Sequence, residues 1–169
     1  MGSDLGFVTH NEIRNPEGES STYHLPFNRG LCTFLMNAKN TPDPVMSKVE
    51  AALGFNMEFL LEPEYYNENE FGVEDYIDMG FSREEAEKMV PDTPTEPEGF
   101  VAIEPFLTKV KELQAKMTAD PEFEARIDYD REWWLDYFKD RFAEDIQILR
   151  TYLEIAQTAG ETEFSLSTG

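Results

Sequence analysis

Residues 133–156 read WWLDYFKDRFAEDIQILRTYLEIA, and the spacing of their apolar residues decides the fold class. Trp134, Phe138, Phe142, Ile146, Leu149, Leu153 and Ala156 recur every three or four residues, the period of a helix with one buried face. Gly160 stands where such a helix should stop. Working back along the chain, Pro105 opens a second helix to about Met117, with Phe106, Val110, Leu113 and Met117 at the same spacing. Asp120-Pro121 reads as a further cap-plus-proline start. Asp43 and Pro44 supply an N-cap and a first-turn proline for a helix over about 44–53, ended by Gly54.

The N-terminal third reads differently. Phe7-Val8-Thr9, Thr22-Tyr23-His24-Leu25 and Leu31-Cys32-Thr33-Phe34-Leu35 lean towards strand, the last of them equally able to open a helix. Asn15-Pro-Glu-Gly18 and Pro26 to Gly30 separate them as turns. Residues 55–61 read as extended, and Glu163 to Ser167 as a short closing strand. The expected fold is therefore a helix-dominated α+β single domain over residues 1–169, with a small N-terminal β element. Pro91, Pro94 and Pro97 make the stretch 91–99 a stiff connector and the candidate internal hinge.

Composition supports a folded chain with an unusual surface. Thirteen Phe, seven Tyr and two Trp are hard to place in a disordered chain, which is typically poor in aromatics. Thirty-five Asp and Glu face fourteen Lys and Arg, a net charge of −21. That excess is concentrated: residues 58–104 hold fifteen acids against two bases, whereas residues 1–57 hold six against four. Such a field repels phosphate backbones and anionic membranes and attracts basic protein surfaces. The single cysteine, Cys32, suits a reducing compartment. The first residues lack a signal-peptide pattern and no apolar run approaches a membrane span, so a cytoplasmic location is expected.

Chemistry-bearing motifs are sparse. His10, His24 and Cys32 are the whole soft-ligand set, at spacings that match no zinc pattern. Asp128-Tyr-Asp130-Arg-Glu132 alternates acids but lacks the glycine of a calcium loop. No nucleophile elbow or phosphate-cradling glycine loop is present, and pairing Cys32 with His24 rests on composition alone. No catalytic residue, metal or cofactor is expected.

Residues 73–90, VEDYIDMGFSREEAEKMV, resemble the first two helices of ubiquitin-associated domains. In that family a Met-Gly-Phe loop contacts ubiquitin, and the matching positions are Met79, Gly80 and Phe81. The likeness covers eighteen residues, and the proline connector stands where the third helix would follow. Gly80 as a helix stop and Ser82 as a cap, completed by Glu85, account for the pattern as turn chemistry.

Two groups of residues are the candidate binding surface. The first is the acidic run Glu62, Glu64, Glu68, Glu70, Glu74, Asp75 and Asp78, whose carboxylates are interleaved with apolar residues that can pack beneath them. The second lies on the long helix. Asp136, Asp140 and Glu144 form a ladder of like charge that costs stability, while Trp133 and Tyr137 lie about 100° off the buried stripe, where they would anchor an interface. The expected function is that of an acidic binding or inhibitor protein. It would cover a basic, nucleic-acid-binding surface of its partner, as a nucleic-acid mimic. In size and charge the chain resembles the small acidic proteins that phages use against restriction and CRISPR systems. A structural subunit of a phage particle or complex is the alternative, and a hydrolase or metal-dependent enzyme the third reading.

Overall fold

The computed structural model describes residues 4–65, 73–89, 99–129 and 131–168. Two antiparallel strands open the chain, β1 (Leu5–Arg14) and β2 (Ser20–His24). Their register shifts between Val8 and Ile13, which marks a bulge. A bulge strands backbone polar groups, and side chains satisfy several of them here. His24 Nε2 donates to the carbonyls of Ile13 and Ser21, both at 3.1 Å. The Thr9 hydroxyl donates to the Asn11 carbonyl, and the Asn11 N–H donates to Glu161, each at 2.6 Å.

The third strand-leaning stretch is helical: Leu31 to Leu35 lie inside α1 (Arg29–Asn40). Leu31, Phe34 and Leu35 fall on one helical face, and burial of that face decides the conformation over the β preference of single residues. After it, α2 (Val45–Leu53) begins one residue later than the proline suggested, with Pro44 at the cap. The side chain that meets its open end belongs to Asn37, whose Oδ1 accepts the Val45 N–H at 3.0 Å, and not to Asp43. Residues 58–61, expected to be extended, form a 3₁₀ turn that buries Phe59 and Leu60. A two-residue strand follows, β3 (Glu64–Tyr65).

Two short helices come next, α3 (Val73–Asp78) and α4 (Arg83–Met89). The stretch 91–98, most of the expected connector, lies outside the described residues. Then β4 (Val101–Ala102) leads directly into α5 (Ile103–Ala119), which starts two residues ahead of Pro105. Asp120-Pro121 yields only a 3₁₀ turn at Phe123–Arg126. The decisive stretch forms α6 (Glu132–Asp136), a π turn at Tyr137–Arg141 and α7 (Phe142–Thr158), run together as one helical column. All seven residues of its apolar stripe are buried. The last strand, β5 (Glu163–Thr168), pairs antiparallel with β1 and parallel with β3.

The result is a helix-dominated α+β fold. Its sheet runs β2-β1-β5-β3, with β4 also pairing β5, so a C-terminal strand sits at its centre beside the N-terminal hairpin. One continuous core joins sheet and helices. Phe7 of β1 stacks on Phe164 of β5 at 5.2 Å and tilts against Tyr152 of α7 at 5.5 Å. Phe34 of α1 meets the edges of Phe138 and Phe142 at 5.3 and 5.4 Å. Fully burying one such ring stabilises the fold by roughly 1.5–3 kcal/mol.

Candidate functional site: an acidic hairpin and an aromatic π turn

The described part of the acidic run sits mainly on α3, as Glu74, Asp75 and Asp78; α3 and α4, which adds Glu84, Glu85 and Glu87, pack on each other as a helical hairpin. Local chemistry builds it. Gly80, at φ +105°, adopts the left-handed conformation that ends α3, and the Phe81 N–H returns to the Tyr76 carbonyl at 3.1 Å. Ser82 and Glu85 form the expected capping box: Ser82 Oγ accepts the Glu85 N–H at 3.2 Å, and Glu85 Oε2 accepts the Ser82 N–H at 3.0 Å. Tyr76 and Phe81 meet edge to face at 6.0 Å.

This hairpin stands apart from the main core. Ala86 is its one buried residue among those described, and none of its side chains belongs to the core cluster. Residues 73–89 carry six acids and two bases, a net of −4. Both bases are paired within the hairpin, Arg83 with Glu74 at 3.0 Å and Lys88 with Glu84 at 3.4 Å. Glu74, Asp75 and Asp78 are exposed. So are Met79 and Phe81, at the turn between the helices, which gives the acidic surface an apolar tip, and Met89 at the far end of α4. Of the remaining run, Glu62 is exposed at the end of the 3₁₀ turn, and the backbone of Glu64 pairs with Leu166 in the sheet. Glu68 and Glu70 lie outside the described residues.

The second group divides. Trp133 is 45% exposed, and Asp136, Asp140 and Glu144 are all exposed. Tyr137 is not: it is 2% exposed, which corrects its assignment as a surface anchor. The π turn causes the difference. Its wider winding breaks the 100° step assumed for a regular helix and carries the ring inward. There it lies against Gly30, where an added Cβ would come within 2.2 Å of the ring. Trp133 stacks over Tyr137 at 5.6 Å with an interplanar angle of 6°. The ladder is also less negative than its carboxylates suggest. Arg29, Lys139 and Arg141 line the same shallow groove as Asp136 and Asp140.

Beneath this face lies a residue that the helical pattern did not single out. Asp145 is fully buried, with its carboxylate held by three donors. The Asn28 N–H reaches Oδ1 at 2.9 Å and the Asn28 side-chain amide reaches the same oxygen at 3.2 Å, while the Tyr137 hydroxyl donates to Oδ2 at 2.8 Å. Burial raises the Asp145 pKa, the three donors oppose the rise, and the Glu144 charge adds to it. Burial, and after it the Asp145 charge, pushes the Tyr137 hydroxyl far above its ordinary range. Asn28 precedes α1, so this carboxylate ties the start of α1 to the π turn and α7. The sequence signal was its register: Asp145 lies three residues after Phe142 and four before Leu149, on the buried stripe.

Among the described residues, no group of three or more His, Cys, Asp or Glu side chains is arranged to hold a metal ion. No helix there is long and apolar enough to cross a membrane. Cys32 is buried and unpaired. No family model, curated protein or solved structure matches the chain. The likeness of residues 73–90 to ubiquitin-associated domains thus stays a local one, carried by the turn chemistry at Gly80 and Ser82.

Proposed function

We propose that this chain is an acidic binding protein that covers a basic, nucleic-acid-binding surface of a partner protein and acts without catalysis. The observation that carries the reading is the α3–α4 hairpin. It presents six acids outside the core, with both of its cations already engaged, and apolar side chains at its tip. Crowded like charges weaken a helix, so a surface of this kind has a cost that a basic partner would offset. Duplex DNA shows one negative charge per roughly 1.7 Å of its axis, a density that carboxylates on short helices and turns can approach. Exposed Met79, Phe81 and Trp133 would add apolar anchors of the type that dominate interface energies. The same charge disfavours direct contact with nucleic acid or an anionic membrane. A cytoplasmic setting suits the free thiol of Cys32.

The reading is tested by moving charge without moving the fold. D75K/D78K/E87K reverses three exposed hairpin carboxylates, and E58K/E112K/E122K reverses three exposed ones elsewhere. Capture of basic proteins at low salt should fall at least about tenfold for the first variant and much less for the second, since specific docking depends on where charge sits. Equal losses in both would leave only non-specific attraction to the net charge and overturn the reading.

A further inference from the structure

The groove over the π turn encloses about 690 Å³, within the range of about 300–1,000 Å³ that small-molecule sites occupy. Three of the chain's fourteen lysines and arginines line it, Arg29, Lys139 and Arg141, beside the carboxylates of Asp136 and Asp140. Arg29 is held through Nε, which donates to Asp4 at 3.2 Å. Lys139 and Arg141 form no ion pair with any described residue, although two carboxylates share the groove with them. Helix α1 adds to the positive side. It enters the groove at Asn28, Arg29 and Gly30, its first turn holds no acid, and the Asn28 side chain, turned to Asp145, does not cap it. Uncapped first-turn N–H groups favour an anion.

Trp133 supplies a second, independent feature. Its ring lies parallel to Tyr137, which covers one indole face, yet it remains 45% exposed in the groove wall. Tyr137 is a fixed support, since its hydroxyl donates to buried Asp145 at 2.8 Å and its ring abuts Gly30. An exposed indole on a rigid base is a platform for another flat ring. The π turn gathers these groups: it turns Tyr137 inward beneath Trp133 and carries Lys139 and Arg141 on the same segment. Single π turns inside α-helices occur frequently at functional sites.

Cations that are free to receive an anion, carboxylates that accept N–H or O–H donors, and a ring platform select a ligand with three matching parts. We infer that this groove binds a nucleoside monophosphate. Its phosphate would meet Arg29, Lys139 and Arg141, its base would stack on Trp133, and its hydroxyl or amino donors would reach Asp136 or Asp140. At about 150 mM salt, charges more than ~8 Å away are largely screened, so the acidic surface beyond the groove does not prevent binding of a small anion. No residue of the α3–α4 hairpin lines the groove, so the site is separate from the surface proposed to meet a basic partner.

The test is a two-dimensional NMR titration of the full chain at about 150 mM salt. The probes are adenosine monophosphate, adenosine, inorganic phosphate and a short single-stranded DNA. Saturable shifts of the Trp133 indole N–H and of the Gly30, Lys139 and Arg141 amides are expected with the monophosphate. Adenosine and phosphate each make part of the contacts and should bind at least about tenfold more weakly. The DNA should bind more weakly than the monophosphate, because its extended charge meets the acidic surface. K139Q/R141Q alters two exposed side chains and should raise Kd for the monophosphate by about tenfold. K111Q/K116Q removes the same charge from exposed positions of α5 outside the groove and should change Kd less than about twofold. Trp133→Leu should weaken the monophosphate and adenosine alike and leave phosphate unchanged, a pattern that loss of the fold would not give. No saturable shift with the monophosphate, equal weakening by the two charge variants, or tighter binding of DNA or of phosphate alone would overturn the proposal.

Discussion

A carboxylate at position 145 weakens the fold when it ionises, because full burial strips its charge of bulk solvent. The folded pKa lies above the ordinary carboxylate value, so the folded state holds the proton to higher pH than the unfolded state does. Stability from this group is therefore greatest at low pH and falls as pH rises from about 4 through the raised pKa. Asp145→Asn keeps an acceptor for Asn28 and removes the titration. Relative to the parent, this variant should gain stability as pH rises through that window, by up to about 1.4 kcal/mol per pH unit. Denaturant unfolding of both proteins at a series of pH values measures the difference, and a pH-independent difference would refute the assignment. The residue was visible in the sequence as an acid on the apolar stripe, but its partner was not. Asn28 lies 117 residues away in sequence, and no local pattern announces that contact.

At the scale of elements, helices were legible wherever apolar period and cap chemistry agreed. The stripe from Trp134 to Ala156 is buried throughout, and the Ser82–Glu85 box forms as its spacing implies. Elsewhere tertiary burial outweighs single-residue preference. Leu31 to Leu35 are β-leaning one by one but helical against the aromatic cluster, and Tyr137 is turned inward by a π turn that no residue-level rule marks. The candidate site was legible as charge and not as shape. The sequence located the acidic helices, whereas the cations that dilute the Asp136 ladder come from α1 and from the π turn itself. Because the hairpin lies outside the core, its caps should act locally. Ser82→Ala removes a cap of about 1 kcal/mol, enough to speed amide exchange in α4 roughly fivefold while leaving global thermal unfolding nearly unchanged. Hydrogen exchange followed residue by residue checks this, and a matching loss of global stability would show that the hairpin folds as part of the core.

For the whole molecule, a net charge of −21 on a domain with an intact aromatic core is the property that calls for explanation. Self-repulsion of this size lowers stability, yet the charge is gathered into the middle of the chain and largely spared from the N-terminal strands. A surface that was acidic only for solubility would not need that concentration. The fold class followed from periodicity because period is a property of neighbours in sequence. The sheet order did not, because its central strand, β5, joins β1 from the far end of the chain. On the proposed function, the sequence carries only a field that would select a partner's sign. The most direct test is capture of partners from cell lysate on the immobilised chain, followed by stepwise salt and by competition with duplex DNA or RNA. A nucleic-acid-binding protein that elutes as salt rises and is displaced by nucleic acid is the predicted result. A partner that resists salt and ignores competing nucleic acid would contradict the account.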